Sequence, residues 1–545
     1  MAESNGNDRK FIKGAAILAA AGLIVKVLGA VFRIPLGNMI GAEGMSYYGS
    51  AYTIYSVLVV MATAGFPIAI SRMVSERIGK KEYRNAHEVF RVAMSIMAAI
   101  GLVMFVICFF GAGWIAAMFK NPGSKAAIRA LSPALFVVPL LSAFRGYFNG
   151  RQNMNPSALS EIMEQLVRLV VGLGLAMVLM RSSGRIMAAA GASFGAAAGS
   201  IGGFLIIFLI YLVNRKAFRA KIERGSQRMD SRKFLAKSII LIAVPIIIGS
   251  EIMPIMNFID TTLIMRVLQN TGWTVKQSKY LYGILNGFTT PLIGFPQFIT
   301  QAVTISLVPA VARDFHSGRL DASHDTIRLG YRTTMIMAFP CALGLFFLAE
   351  PILKLLYFAQ PKTCADAKVT LMVQAVGVIF LALMQTSTSI LQAIGKQTLP
   401  VRNLLIACVA KLFLTYLLVG VHAINVNGAA IGTDAAYFIA MTLDLLAVRK
   451  YSGARINADL TFVRPFFASL GMGICALGVF KGVSALLSSH AGPMMVNMAA
   501  TLAGVLAAVI VYVILIFALK AITLEELRTF PKGDKLAKIA SRFVK

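Results

Sequence analysis

Long apolar runs recur along the whole chain and are separated by short polar segments. A run of about 20 apolar residues is the length of helix that crosses the hydrocarbon core of a bilayer. The pattern therefore predicts an all-α polytopic membrane protein with 14 transmembrane helices. The predicted spans are 11–36, 46–76, 87–112, 126–149, 157–181, 185–213, 234–268, 280–312, 327–357, 368–393, 400–420, 427–449, 463–485 and 495–520.

Short sequence echoes predict an internal repeat. "YG" occurs at 48–49 and 282–283, and "GFP" occurs at 65–67 and 294–296, in the same order and at a similar offset. Their order indicates two parallel six-helix lobes related by an axis along the membrane normal. The predicted domains are an N-terminal lobe at 1–213, a basic cytoplasmic linker at 214–233, a C-terminal lobe at 234–450, and two further helices with a basic cytoplasmic tail at 451–545.

The distribution of basic residues predicts the orientation in the membrane. The chain has 53 Lys and Arg against 23 Asp and Glu. The two tails and the loops on their side carry about 29 of the Lys and Arg, and the opposite loops carry about 8. Both termini are therefore expected to be cytoplasmic. The basic segments are expected to contact membrane lipids, and no basic-aromatic module suggests a nucleic-acid partner.

Two cations lie inside the first predicted span. Lys26 and Arg33 are seven residues apart, which brings them to within roughly 20° of the same helix face. Each charge at mid-membrane costs roughly 2.5–3.5 kcal/mol. This face is therefore expected to line a water-filled cavity. In the alternative interpretation, Arg33 reaches the outer interface and Lys26 pairs with a buried carboxylate.

Further charged residues in or near the spans are candidates for the same cavity. Glu164 and Arg168 are four residues apart on one helix face, a spacing that predicts an ion pair. Such a pair would either contact substrate or only neutralise its own charges. Lys411 occupies a place in the second repeat like that of Arg168, and Arg145 lies near the end of span 4. The predicted substrate-binding set is Lys26, Arg33, Arg145, Glu164, Arg168 and Lys411.

Sequence motifs of catalysis are absent. The chain has no Walker loop, no G-x-S-x-G and no zinc-ligand spacing among its five cysteines. No catalytic residues, no metal site and no resident cofactor are therefore expected. The remaining interpretation is a secondary transporter with a cationic cavity, which would suit an anionic substrate such as a phosphate or pyrophosphate.

Two stretches carry a resemblance to a known family. "KVLGAVFRIPLGNMIGAEGMSYYGSAYTIYSVLVVMATAGFPIAISRMVSE" and "LQAIGKQTLP" resemble the polysaccharide-export flippases of the multidrug/oligosaccharidyl-lipid/polysaccharide superfamily. Within it, the chain is similar to the stage V sporulation protein B-like branch, which includes lipid II flippases of Gram-positive bacteria. The resemblance covers essentially the whole chain. It implies two lobes around a central cavity in the bacterial plasma membrane, and a groove at spans 13 and 14 for a polyprenyl tail.

The resemblance also implies site residues. Lys26 and Arg33 fall at or within one residue of the cavity arginines of lipid II flippases. The chain departs from that pattern in spans 2 and 8, where "SVLVVMATAG" is uncharged and no charge lies between Lys279 and Arg313. Some family members bind sodium between helices 7, 11 and 12. The candidates for a cation site here are Asp260, Asn403 and Asp434.

The resulting expectation is a flippase for an undecaprenyl-pyrophosphate-linked cell-wall precursor, lipid II first, working by alternating access in peptidoglycan biosynthesis. Coupling would come from a sodium ion or the membrane potential, and cell-wall synthesis proteins are expected as partners. One alternative is a flippase for another lipid-linked polysaccharide unit. Another is a cation-coupled drug antiporter of the multidrug and toxic compound extrusion type, whose site should be acidic and aromatic. A third is a polytopic glycosyltransferase using Glu43 as its acid.

Overall fold

A computed structural model describes residues 2–224 and 229–521, and these residues form helices without β-strands, as predicted. The first helices are α1 (Ala2–Thr63), α2 (Phe66–Gly79), α3 (Tyr83–Met118), α4 (Ser124–Gly150), α5 (Asn155–Arg224), α6 (Arg232–Asn270) and α7 (Val275–Gly283). The later helices are α8 (Thr290–His316), α9 (Leu320–Phe347), α10 (Ala349–Leu356), α11 (Pro361–Ala393), α12 (Thr398–Gly420), α13 (Asn427–Ser452), α14 (Arg464–Leu487) and α15 (Pro493–Ala518). Two π-helical segments precede α8 and α14, at Ile284–Thr289 and Asp459–Val463.

Eleven helical stretches in the described ranges are long and apolar enough to cross a membrane. Two of these stretches each contain two predicted spans. The two spans are separated by a kink, at Gly41 in α1 and at Gly184 in α5. These glycines have φ of 65° and 79°, a left-handed backbone that costs little without a Cβ atom. Helix α8 is the counterpart of the predicted span 280–312, so every one of the fourteen predicted spans has a helical counterpart.

The chain divides into two compact units, Met1–Gly283 and Ile284–Lys545. Helix α6 therefore packs in the first unit, with α1, α2 and α3, although the sequence repeat assigns it to the C-terminal lobe. The lobe boundaries at 213 and 234 stay a prediction about the repeat. The packing boundary lies after α7.

A polar network attaches the start of α6 to α2 and α3. Arg77 Nη2 donates to Asp230 Oδ2 over 2.6 Å, and Asn85 Nδ2 donates to the same oxygen over 2.9 Å. Arg232 Nε donates to Glu88 Oε1 over 2.7 Å. Arg77, Asn85 and Glu88 are buried. Since buried charges are stable only when they are paired, this network holds α6 in the first unit.

Small residues bring the two halves of α5 close together. In the segment 188–203, which is rich in Ala, Gly and Ser, Ala189, Ala192 and Ala197 are fully buried. A Cβ atom at Gly195 would lie 2.5 Å from Gly172 Cα on the facing half of the helix. The close approach therefore depends on the missing side chain at residue 195.

We expect Gly195→Ala to destabilise the protein by about 1–3 kcal/mol, because the new methyl group overpacks this contact. The measurement is the thermal unfolding midpoint of the purified protein in detergent micelles. Gly174→Ala is the matched control, since a Cβ atom at Gly174 meets nothing within 4 Å. Equal midpoints for the two variants would contradict the packing interpretation.

Two arginines bind the turn that follows α15 in the second unit. Arg332 Nε donates to the carbonyl oxygen of Ala521 over 2.8 Å. Arg464 Nη1 donates to the carbonyls of Leu519 and Lys520 over 3.3 and 3.2 Å. These three carbonyls belong to the turn that follows α15, whose backbone N–H groups already bond the last turn of the helix. The two guanidinium groups therefore fix α15 onto α9 and α14.

Candidate functional site

The two cations of the first predicted span lie away from the exposed side of α1. The side chains of Leu23, Val27 and Val31 form an exposed apolar stripe, 58%, 51% and 47% accessible. Lys26 and Arg33 are half-buried and lie roughly 120° around the helix from that stripe. The common charged face predicted from the seven-residue spacing therefore points away from the apolar surface of α1.

Arg33 and Arg168 meet at the ring of Tyr52. The Cζ atom of Arg33 lies 5.5 Å from the ring centroid, and that of Arg168 lies 5.1 Å from it. Arg168 also donates from Nη2 to the Tyr48 hydroxyl over 2.6 Å. A guanidinium within about 6 Å of an aromatic face is attracted by the ring quadrupole. The arginine–tyrosine cluster consists of Arg33, Arg168, Tyr48 and Tyr52.

The tyrosines of this cluster belong to a row on the second half of α1. The rings of Tyr48 and Tyr52 stack at 5.8 Å with an interplanar angle of 16°, and Tyr55 lies 5.4 Å from Tyr52. Sequence reasoning missed this row. The signal was present in "SYYGSAYTIY", because positions 48, 52 and 55 share one helix face.

The ion pair predicted between Glu164 and Arg168 is not formed, and that prediction was wrong. Arg145 of α4 instead donates from Nη2 to Glu164 Oε2 and from Nε to Ser160 Oγ, both over 2.9 Å. Ser160 and Glu164 lie one turn apart on α5 and together match the planar fork of a guanidinium. Arg145 therefore neutralises Glu164. The arginine–tyrosine cluster has an excess of two positive charges, those of Arg33 and Arg168.

The remaining predicted residues lie elsewhere in the fold. Lys411 is buried in α12 of the second unit, and Asp260 is buried in α6 of the first. Asn403 Nδ2 donates to Asp444 Oδ1 over 2.8 Å. Asp434 precedes Asp444 by ten residues on α13, about 15 Å along the helix.

The second unit thus pairs Asn403 with Asp444 and does not bring it to Asp434. Thr388 Oγ1 donates to the other Asp444 oxygen over 2.9 Å. No group of three or more His, Cys, Asp or Glu side chains that could hold a metal ion occurs in the part of the chain that the structure describes. The cation-binding role of Asp260, Asn403 and Asp434 stays a prediction.

The chain matches two protein families and has relatives that align over most of its length. Residues 11–315 match the family "Polysaccharide biosynthesis protein", and residues 245–417 match the family "MatE". Lipid II flippase MurJ of Bacillus subtilis (strain 168) is 27% identical over 459 residues, which are 82% of this chain and 83% of the relative. Stage V sporulation protein B of the same organism is 24% identical over 527 residues, 96% of this chain and 98% of the relative.

The fold has a counterpart among solved structures. Lipid II flippase MurJ in an inward closed conformation superimposes with a TM-score of 0.65 at 16% identity, covering 92% of this chain and 99% of that one. The predicted resemblance is confirmed, and with it a multi-pass membrane transporter rather than an enzyme. The chain belongs to the polysaccharide biosynthesis protein family, within the multidrug/oligosaccharidyl-lipid/polysaccharide superfamily.

Proposed function

We propose that the protein is a flippase for an undecaprenyl-pyrophosphate-linked cell-wall precursor, with lipid II as the first candidate substrate. The observation that carries the proposal is the pair of arginines on one tyrosine ring. Arg33 and Arg168 both approach Tyr52, while Glu164 is already engaged by Arg145. An excess of two positive charges in a membrane protein suits a ligand with two or more negative charges.

The cluster has the chemistry to bind a pyrophosphate. Each guanidinium can present paired N–H donors to phosphate oxygens, and such charge-assisted bonds are roughly twice as strong as neutral ones. Without the anion, the Tyr52 ring and the Tyr48 hydroxyl stabilise the two like charges. Lys26 lies about 10 Å from Arg33 along α1 and would supply a third cation.

The transport cycle proposed for this site is alternating access in the bacterial plasma membrane. The pyrophosphate and sugar head would cross through a wet cavity while the polyprenyl tail stays in lipid. We infer that both termini are cytoplasmic, that a sodium ion or the membrane potential drives the cycle, and that cell-wall synthesis proteins deliver the substrate. The relatives named for lipid II and for sporulation support this class of substrate.

A drug antiporter is the second candidate, because residues 245–417 match the "MatE" family. Such a site should be acidic and aromatic for cationic drugs. The arginine–tyrosine cluster does not suit a cation, because two arginines approach the Tyr52 ring and Glu164 is paired with Arg145.

A glycosyltransferase role for Glu43 has no support. Tyr47 donates its hydroxyl to Glu43 Oε1 over 2.8 Å, and Arg185 pairs with Oε2 over 3.3 Å. Both carboxylate oxygens are therefore engaged by neighbouring groups, whereas a general acid needs a proton at an accessible oxygen.

Transport by reconstituted vesicles tests the proposal. We expect Lys26→Ala and Arg33→Ala to abolish flipping of a lipid-linked precursor, because each removes a cation from the charged face of α1. Leu23→Ala on the exposed side of the same helix is the matched control and should flip normally. Unchanged flipping by Lys26→Ala would remove that residue from the site.

Depletion in the host should cause a lipid-linked precursor to accumulate, and lipid analysis would identify it.

A further inference from the structure

A groove in the second unit contains one carboxyl group in apolar surroundings. The groove runs between α11 and α13, and its cavity volume is about 560 Å³. Phe346 of α9, Val376 and Phe380 of α11, and Phe438 of α13 are among its lining residues, and Asp434 is the one ionisable side chain among them. The rings of Phe380 and Phe438 meet edge to face at 5.3 Å.

The Asp434 carboxyl group packs tightly against α11. A Cβ atom at Gly377 would overlap its Oδ1 atom, so only glycine leaves room for the carboxyl at this level. No basic side chain forms an ion pair with Asp434 in the described parts of the chain. The backbone N–H of Gly377 donates to this carboxyl, but a charged side chain in a transmembrane helix still costs several kcal/mol unless it is paired. The groove is thus a place where a positively charged ligand would be favoured.

The groove opens at the surface of the protein near one end of a membrane helix. Val369, Val376 and Phe438 are 52%, 40% and 49% exposed. Helix α13 has 26 residues, about 39 Å of helix, and Asp434 lies about 10 Å from its first residue, Asn427. That length matches a bilayer with its head groups, so the carboxyl lies near the boundary between head groups and hydrocarbon.

We propose that this groove binds a membrane lipid whose head group carries an amine. The ammonium group pairs with the Asp434 carboxylate, and an apolar chain lies along the groove beside Phe380 and Phe438. Charge complementarity between the ammonium group and the carboxyl selects the head group. The volume is that of a small-molecule site and suits one lipid chain, whereas a partner helix about 10 Å across needs more space.

This site differs from the proposed flippase site in unit, charge and ligand. The arginine–tyrosine cluster lies in the first unit and carries excess positive charge, whereas the groove contains one carboxyl group and no basic side chain. Binding of an amine lipid to the second unit does not depend on the transported substrate.

Binding of single-chain probes tests the carboxyl group. The purified full-length protein in neutral maltoside micelles is titrated with dodecylammonium and with uncharged dodecanol, and each Kd is taken from the ligand-dependent unfolding midpoint. We expect dodecylammonium to bind at least about tenfold tighter than dodecanol, because a hydrogen bond to a charged group contributes at least that factor. Asp434→Asn should abolish the difference. Glu350→Gln is the matched control, because Glu350 of the same unit is already paired with Lys354 and Lys368.

A lipid arm tests the source of the amine. The protein is reconstituted with equal phosphatidylethanolamine and phosphatidylglycerol, extracted, and examined by native mass spectrometry. We expect retained phosphatidylethanolamine that Asp434→Asn loses. Should that variant not fold, Val376→Phe fills the groove from an exposed position and should lose the same lipid. Equal binding of the two probes, an unchanged preference in Asp434→Asn, retention of phosphatidylglycerol alone, or a partner protein's helix cross-linked in the groove would overturn the proposal.

Discussion

Replacing Arg168 with alanine should reduce flipping of a lipid-linked precursor about 10- to 100-fold in reconstituted vesicles. This is the effect expected from the loss of one hydrogen bond between charged groups. Arg168 is the residue that connects the cluster, because it contacts the Tyr52 ring and donates to the Tyr48 hydroxyl. Its removal halves the excess positive charge offered to the pyrophosphate. The rate of substrate appearance in the opposite leaflet is the measurement.

Two further variants separate a binding role from a structural one. Arg168→Lys keeps the charge without the planar fork, so we expect an intermediate flipping rate. Arg129→Ala removes another arginine that lies over a ring, Phe109 at 6.0 Å, but at an exposed position of α4. Arg129→Ala should flip at the original rate. If Arg168→Ala and Arg129→Ala flip equally well, the arginine–tyrosine cluster is not the substrate site.

Asp230→Ala should lower the free energy of unfolding by up to about 3 kcal/mol, because it leaves the Arg77 guanidinium buried without its carboxylate. The Arg77 side chain is 10% exposed and that of Asp230 is 23% exposed, so water screens the pair only partly. The change also removes the acceptor of Asn85. The measurement is the unfolding midpoint in micelles.

A double-mutant cycle isolates the pair. Arg77→Met combined with Asp230→Ala should be less destabilising than the sum of the two single changes, since no buried charge remains unpaired. Asp325→Ala is the control, because its pair with Arg328 is exposed, at 73% and 49%, and such pairs contribute about 0–1 kcal/mol. Additive effects of Arg77→Met and Asp230→Ala would mean that the two groups do not interact.

The candidate site was only partly predictable. Lys26 and Arg33 could be found because charges in an apolar run stand out and a seven-residue spacing defines a helix face. The partner of Glu164 could not, because Arg168 is near in sequence whereas Arg145 is near only after α4 and α5 pack. The tyrosine row was visible as a spacing, but its contact with two arginines depends on how α1 and α5 meet.

The sequence by itself determined the helical class, the fourteen spans and the charged face of α1, since these follow from hydropathy and helical periodicity, which are local properties. The tertiary structure decided which helices pack together and which charges pair. Helix α6 belongs with the first unit because Arg77 and Asn85 hold Asp230. Asn403 binds Asp444 rather than Asp434 because α12 and α13 pack in one register. Contacts between residues far apart in sequence depend on how helices dock, and no local pattern encodes that docking.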